Sequence, residues 1–491
     1  MKKGILLSLF LFFAMVLFAC ESVTSTQSTT SGLLTTTINF TTSSSITTTS
    51  EATTSQSTTQ LITTTETPYI YDPLEVADYV LEEERLSFKF FWEVVNGDID
   101  SPGYGLIADR VNVDTMQKAD ASIASVGFGL ASIPAGIEND WIGYQEGYDR
   151  VLNTLITLEG MQRTHGFYYH FVGMSSGFRS GYSEVSIIDT AILICGAIVA
   201  GEYFGGEIRD KVDAIYQAIE WDWYYDPVWN MFYMGYSPES GFGGHWDMAN
   251  EQLMLYFLAA ASDEHSVGKI AYDVMKNHSQ LKSYGTSDLF YVSYPGPLFI
   301  YQYSHAFFDF NSYEDEDGVN WFENSVNASI AAYDYAQDMS KRYKSLNATS
   351  WGMTASDGPD GYRAYGNLPA AGTIYVDGTL GPSGAIGSIA FVPDLTIPTM
   401  EYYANIALLQ SRYGFRDSFH LGIEELAPVN TIMPQEPIPT NGWYSTDVIG
   451  IDKGVTVLMI ENYRSSLIWY YFMQSDIAQK GMTELGFTEV N

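Results

Sequence analysis

His245-Trp246-Asp247-Met248-Ala249-Asn250-Glu251 runs directly into Gln252-Leu253-Met254-Leu255-Tyr256-Phe257-Leu258-Ala259-Ala260-Ala261. The apolar spacing of the second part suits a packed helix, so the stretch predicts a helix over 247–261 with Glu251 in or near its first turn. An acidic residue there is ordinarily explained by its attraction to the positive end of the helix dipole. The same carboxyl, preceded by indole, imidazole and amide side chains, also has the ingredients of sugar chemistry. A sugar needs an aromatic face to lie on, and its leaving oxygen needs a proton. The local sequence leaves both readings open.

Helical periodicity recurs outward from this stretch, over 74–95, 144–161, 186–204, 208–218, 321–344, 399–413 and 460–475. Between these segments lie Pro/Gly/aromatic stretches at 224–244, 284–296, 351–393 and 427–443. Regular strand alternation is scarce, which argues against all-β and doubly wound folds. An all-α toroid fits best: inner helices packed on an outer ring, with the long aromatic loops building one substrate-binding face. No short repeat marks a regular solenoid.

The second helix start with chemistry is Ser183-Glu184-Val185-Ser186-Ile187-Ile188-Asp189-Thr190. Ser186 and Asp189 approximate a capping box, with Asp in place of Glu. Glu184 precedes the cap and has no such explanation. If inner helices begin on a common face, Glu184, Asp189 and Glu251 converge there. Asp109-Arg110 reads first as a fixed ion pair, although Arg also holds sugar hydroxyls or orients a carboxylate. His305, between Tyr303 and Asp309, reads first as a satisfied core histidine. No His-Glu-x-x-His is present and the seven histidines lack metal spacing, so neither metal nor other cofactor is expected. Gly381-Pro382-Ser383-Gly384-Ala385 lacks the last glycine of a nucleophile elbow. Gly127-Phe128-Gly129 lies in a helix-like segment and is no phosphate cradle.

The N-terminus is of a different kind. Lys2-Lys3 and the apolar stretch Gly4–Ala19 make residues 1–20 a signal peptide. Ala19-Cys20 resembles a lipoprotein processing site, so Cys20 is expected to be the lipid attachment point; a plain secretory signal is the alternative. Residues 21–68 are mostly Ser, Thr and Gln without Lys or Arg. Such a segment has too little apolar surface to order and is expected to be a disordered tether, leaving 69–491 as the catalytic domain on the outside of the cell membrane. The net charge of −36, from 59 acidic and 23 basic residues, argues against nucleic acid and against an anionic polysaccharide, and favours a neutral ligand. With Cys195 in an apolar run as the second of only two cysteines, no disulfide framework is available.

Ordered motifs along the domain resemble the bacterial glycoamylase-like family. They include Phe90-Phe91-Trp92-Glu93, Gly105-Leu106-Ile107-Ala108-Asp109-Arg110, Gly166-Phe167-Tyr168-Tyr169-His170-Phe171 and the Ser183–Ala191 segment. Asn250-Glu251, Tyr303-Ser304-His305, Trp351-Gly352-Met353-Thr354-Ala355, Tyr413-Gly414-Phe415 and Glu461-Asn462-Tyr463-Arg464 continue the series. That family includes endo-β-1,2-glucanases and the cyclising domain of cyclic β-1,2-glucan synthases. The resemblance implies an (α/α)6 toroid that hydrolyses a neutral β-glucan, most simply β-1,2-linked. Glu251 matches the general acid. Glu184, Asp189 and Asp452 are the candidates for its partner carboxylate. Substrate contacts are expected from Asp109, Arg110, His170, Trp246 and Asn250, and further along the chain from Tyr303, His305, Trp351, Glu461 and Arg464. An inverting hydrolase is preferred. The rivals are a retaining transglycosylase on the same glucan and a glycan-binding lipoprotein without catalysis.

Overall fold

The computed structural model describes residues 69–424 and 434–490. The expected signal peptide, the tether and Cys20 lie outside the described residues. Thirteen α-helices occur among the described residues: α1 Asp78–Glu93, α2 Ile123–Glu138, α3 Tyr144–Gly160, α4 Ile187–Phe204, α5 Gly206–Gln217, α6 Leu253–Ala261 and α7 Ile270–His278, then α8 Trp321–Met339, α9 Pro382–Ile386, α10 Pro393–Ala404, α11 Gly450–Ser465, α12 Leu467–Gln474 and α13 Asp476–Glu484. Two 3-10 turns, Leu298–Tyr301 and Ser304–Ala306, stand where a further inner helix would.

Packing closes a ring. The order is α2, α4, α6, the 3-10 turns, α9 and α11, and α11 returns to α2. Along the chain these inner elements alternate with α1, α3, α5, α7, α8 and α10, which is the (α/α)6 arrangement. Inner α2, α4 and α6 are apolar on nearly every side because neighbours cover them on every side, and α11, equally covered, pairs the charges it buries. α4 is long and apolar enough to cross a membrane by composition, yet it is a buried core helix. Outer helices bury a single stripe, such as Val151, Leu155 and Leu158 of α3 or Ile208, Val212 and Ile215 of α5. α2 and α4 touch backbone to backbone where Gly127 meets Gly196, and a Cβ on either glycine would collide with the opposite helix.

Two buried ion pairs fasten outer α1 to inner α11: Glu83 to Lys453 at 2.6 Å and Glu84 to Arg464 at 2.6 Å. Charges this deep persist only when paired.

Several boundaries differ from the sequence expectation. The helix read over 247–261 begins at Leu253, because Gln252 Nε2 bonds back to the Met248 carbonyl and holds the preceding residues in turns. Pro398 is inside α10 rather than before it, so that helix starts at Pro393 and ends at Ala404; the sequence beyond forms a short hairpin, 410–415. The helix read over 460–475 is two helices, broken at Ser466, whose φ of 60° is left-handed. The aromatic stretch 224–244 is mostly strand: Met231–Ser237 pairs antiparallel with Gly241–His245, and Tyr233 stacks on Phe242 at 4.5 Å.

Candidate active site

The inner helices begin on one face, and backbone bonds fix what precedes each start. The strand Arg110–Asn112 pairs with Asp447–Ile449, and the Gly450 N–H donates to the Asp109 carbonyl at 2.7 Å. That places Asp109 and Arg110 beside the first turn of α11. The Ile123 N–H donates to the His170 carbonyl, and the His170 N–H to the Glu184 carbonyl, so His170 lies between the starts of α2 and α4.

His170 is clamped by acids. Its Nδ1 is 2.8 Å from Glu184 and its Nε2 is 3.5 Å from Asp189. Burial alone would lower its pKa, but the charge of Asp189 and the bond to Glu184 outweigh that and raise it to about 9. The ring is therefore a cation at neutral pH, its Nδ1 donating to Glu184 and its Nε2 facing Asp189 as an ion pair. Burial would raise Glu184, but its bond to His170 keeps it below its ordinary value. Asp189 is raised, mainly by burial, although His170 and the Ser186 hydroxyl at 2.5 Å both favour its charge.

Glu251 is the contrast. Its backbone is held firmly: its N–H donates to Asn250 Oδ1, its carbonyl accepts from Ser304 Oγ, and Asn250 Nδ2 is tied to Ser293. Its carboxyl makes no hydrogen bond or ion pair with another described residue. Burial first, and then the charge of Asp189, push its pKa up to about 8, against a smaller opposing effect of His170. A carboxyl group in this state carries a proton at neutral pH and can give it up.

Across the cleft, Asp452 in the first turn of α11 accepts from Ser383 Oγ at 2.7 Å, and burial raises it to about 6. Tyr303 lies between the two halves. Burial, followed by the charges of Asp452, Tyr362, Glu251 and Asp189, keeps its hydroxyl protonated. Arg110 bonds Asp109 at 3.0 Å and Asp357 at 2.9 Å and lies over the Tyr362 ring.

Asp109, Arg110, His170, Glu184, Asp189, Asn250, Glu251, Tyr303 and Asp452 are thus gathered at the face where the inner elements begin. Others of the expected site residues are not. His305 is buried among Phe310 and Phe391, bonded to Ser325 at 2.9 Å, and burial lowers it to about 3. Trp351 is fully buried, its indole N–H directed to the Leu395 carbonyl. Glu461 and Arg464 are in the last turns of α11, about 14 and about 18 Å along the axis from Asp452, where they join Glu84 in a buried ion cluster. Trp246 is folded into the core with only 6% of its surface exposed, too little to offer a sugar its face. Sequence reading missed Asp357, Tyr362, Asp417 and Ser383. The motif Tyr413-Gly414-Phe415 stops two residues short of Asp417. In the sequence Ser383 invites only comparison with a nucleophile elbow, whereas in the fold it is a hydrogen-bond donor at the start of α9.

A closed double ring of helices with carboxyl groups gathered at the inner starts is the (α/α)6 fold of glycoside hydrolases. Residues 244–476 match the family model described as "Putative glucoamylase". The resemblance read from the sequence is borne out. Among curated proteins the chain is 27% identical over 461 residues to an exo β-1,2-glucooligosaccharide sophorohydrolase (non-reducing end) of Parabacteroides distasonis, covering 86% of this chain. The match spans 59% of that relative's length. A solved β-1,2-glucanase from Parabacteroides distasonis is 25% identical, with a TM-score of 0.71, over 84% of this chain and 60% of its own. An endo-β-1,2-glucanase from Chitinophaga pinensis, solved with sophorotriose and glucose, is 24% identical with a TM-score of 0.73 over 84% and 99%.

Proposed function

We propose that this chain hydrolyses β-1,2-glucan, cutting internally and with inversion. One observation carries the reading: Glu251 is a firmly positioned, unpartnered carboxyl whose pKa is raised to about 8, in a cleft with other carboxylates. Glu251 protonates the glycosidic oxygen as the bond to the leaving sugar breaks. Asp452, at about 6, is ionised at neutral pH yet basic enough to take a proton from the attacking water. The Tyr303 hydroxyl and Arg110 contact sugar hydroxyls, and the His170 cation keeps Glu184 charged and fixed. The linkage is supported by the relatives' names; internal cleavage is supported by the glucanase from Chitinophaga pinensis, whereas the curated relative is an exo-enzyme.

Linear β-1,2-glucan as substrate tests all parts. A ladder of oligosaccharides supports internal cutting, while disaccharide alone from the first minutes would mean release from a chain end. By proton NMR the first-formed reducing end should be the α-anomer; an initial β-anomer would refute inversion and make Glu184 the candidate nucleophile. Lack of cleavage with retained binding would point to a glycan-binding protein. The proposal extends to export with a lipid on Cys20, motivated by Lys2-Lys3, the apolar stretch and Ala19-Cys20. Metabolic lipid labelling that survives Cys20→Ser would refute the anchor.

A further inference from the structure

Two carboxylate oxygens at the foot of the cleft are left bare. Asp452 Oδ2 and Asp417 Oδ1 are both buried, and neither finds a donor among the described protein groups. The two carboxyl groups are within hydrogen-bond reach of one another. Their remaining oxygens are already engaged. Asp452 Oδ1 accepts from Ser383 Oγ at 2.7 Å, and Asp417 Oδ2 accepts from the Asp357 N–H at 2.6 Å. Asp417 is 4% exposed and Asp452 5%. Two ionised carboxylates face to face in such a place would be both desolvated and mutually repelled. A single proton between them satisfies both bare oxygens.

We infer that Asp417 holds a proton on Oδ1 and donates it to Oδ2 of Asp452, fixing the orientation of the carboxylate that activates water. This rests on the reading of Asp452 as the base. Asp417 is here a positioning residue, since it acts through Asp452.

The surroundings decide which of the two keeps the proton. Asp417 faces Asp357, Arg110 and Tyr362; Asp452 faces Lys453, Tyr303 and Asp357. Glu83 and Arg416 line the same small cavity but are paired with Lys453 and Asp114. Burial, then the charges of Asp357 and Asp452, hold Asp417 well above the usual carboxylate range, against Arg110. Asp452 is raised only to about 6, because Ser383, Asp417 and Lys453 all favour its charge. At neutral pH the proton therefore belongs to Asp417.

The test compares Asp417→Asn, Asp417→Ala and Asp452→Asn in the full chain, with linear β-1,2-glucan as substrate and kcat/KM followed against pH. An asparagine imitates the protonated acid: its N–H2 donates to Asp452 while its carbonyl accepts from Asp357. Asp417→Asn should keep the acid limb in place and recover most of the turnover that Asp417→Ala loses. Asp417→Ala should move the acid limb up by about one unit or more, since a donor to a buried carboxylate is gone. An acid limb that moves down in both variants would mean that Asp417 is ionised in the native protein. A limb unmoved in both would mean that it only supports the fold. Either result overturns the inference. Infrared difference spectra give a readout independent of activity and of the alanine variant's folding. A carboxylic-acid C=O band at neutral pH that is lost in Asp417→Asn and kept in Glu251→Gln supports the inference, and a native band left unchanged by Asp417→Asn overturns it. Full activity in Asp452→Asn would instead refute the base assignment, whatever the infrared spectra show.

Discussion

Replacing Glu251 with Gln removes a proton donor and, on the same structural grounds, stabilises the protein. The carboxyl has a pKa of about 8 in the fold against an ordinary 4.5. Below pH 4.5 it is protonated in both folded and unfolded chains, and Gln is an equal substitute. Between 4.5 and about 8 the unfolded chain releases a proton that the folded chain keeps, so the native protein loses stability as pH rises. At about 1.36 kcal/mol per unit, this loss reaches about 3 kcal/mol at pH 7. Gln, which never ionises, avoids it. Spread over roughly 410 folded residues at about 2.1 cal/mol/K each, the gain is about 3–4 °C in Tm. Turnover should fall by about 100- to 10,000-fold, because the amide keeps the shape but has no proton to give. Calorimetry of both proteins at pH 5, 6, 7 and 8, beside reducing-end assays on β-1,2-glucan, measures both effects. The Tm advantage of Glu251→Gln should widen from pH 5 to pH 8. A constant or negative difference would show that Glu251 ionises as an ordinary carboxyl, and near-normal turnover would remove it from the acid role.

Two further outcomes follow from the cleft and the core. The kcat/KM profile should be a bell, falling below about pH 6 as Asp452 takes up a proton and above about pH 8 as Glu251 loses its own; a profile flat from pH 5 to pH 9 would contradict this pairing. Arg464→Met should cost about 3–5 kcal/mol in urea unfolding by stranding Glu84 and Glu461, while KM at a temperature where the variant is folded stays unchanged; a raised KM with unchanged stability would return Arg464 to the substrate site.

The toroid was legible because its evidence is repeated. The inner helices are buried on nearly every side and mostly apolar, each outer helix has one apolar stripe, and an error at one boundary leaves the alternation intact. The candidate site was legible only where a carboxyl sits beside the start of a long helix, as at Glu184, Asp189, Glu251 and Asp452. Asp357 and Asp417 come from loops, and only the ring's closure brings them to α11. No local period marks such residues. The misplaced ones teach the reverse. His305, Trp351, Glu461 and Arg464 belong to family motifs, yet their hydrogen bonds and ion pairs all end inside the core. A motif residue buried away from the site, whose bonds run only to groups of the core, is maintaining the fold, whatever its chemistry suggests.

The placement of Glu251 resolves a conflict present in the sequence from the outset. A carboxyl in the first turn of a helix should have its pKa lowered by the dipole, which is the wrong direction for an acid. The structure puts it two residues before α6, where that helix's field still favours its charge. Magnitudes decide the outcome. Helix termini contribute typically about 0.3–1 kcal/mol, and about 2 kcal/mol in the best geometries. The rise from 4.5 to about 8 corresponds to about 5 kcal/mol in the opposite sense. Burial without a partner, and the facing charge of Asp189, therefore dominate. The His170 cation works against them, but its effect is the smallest of the three, and the negative charges of Glu184 and Asp189 beside it offset its field. Held between Glu184 and Asp189, it lowers the pKa of Glu251 by less than burial and the Asp189 charge raise it.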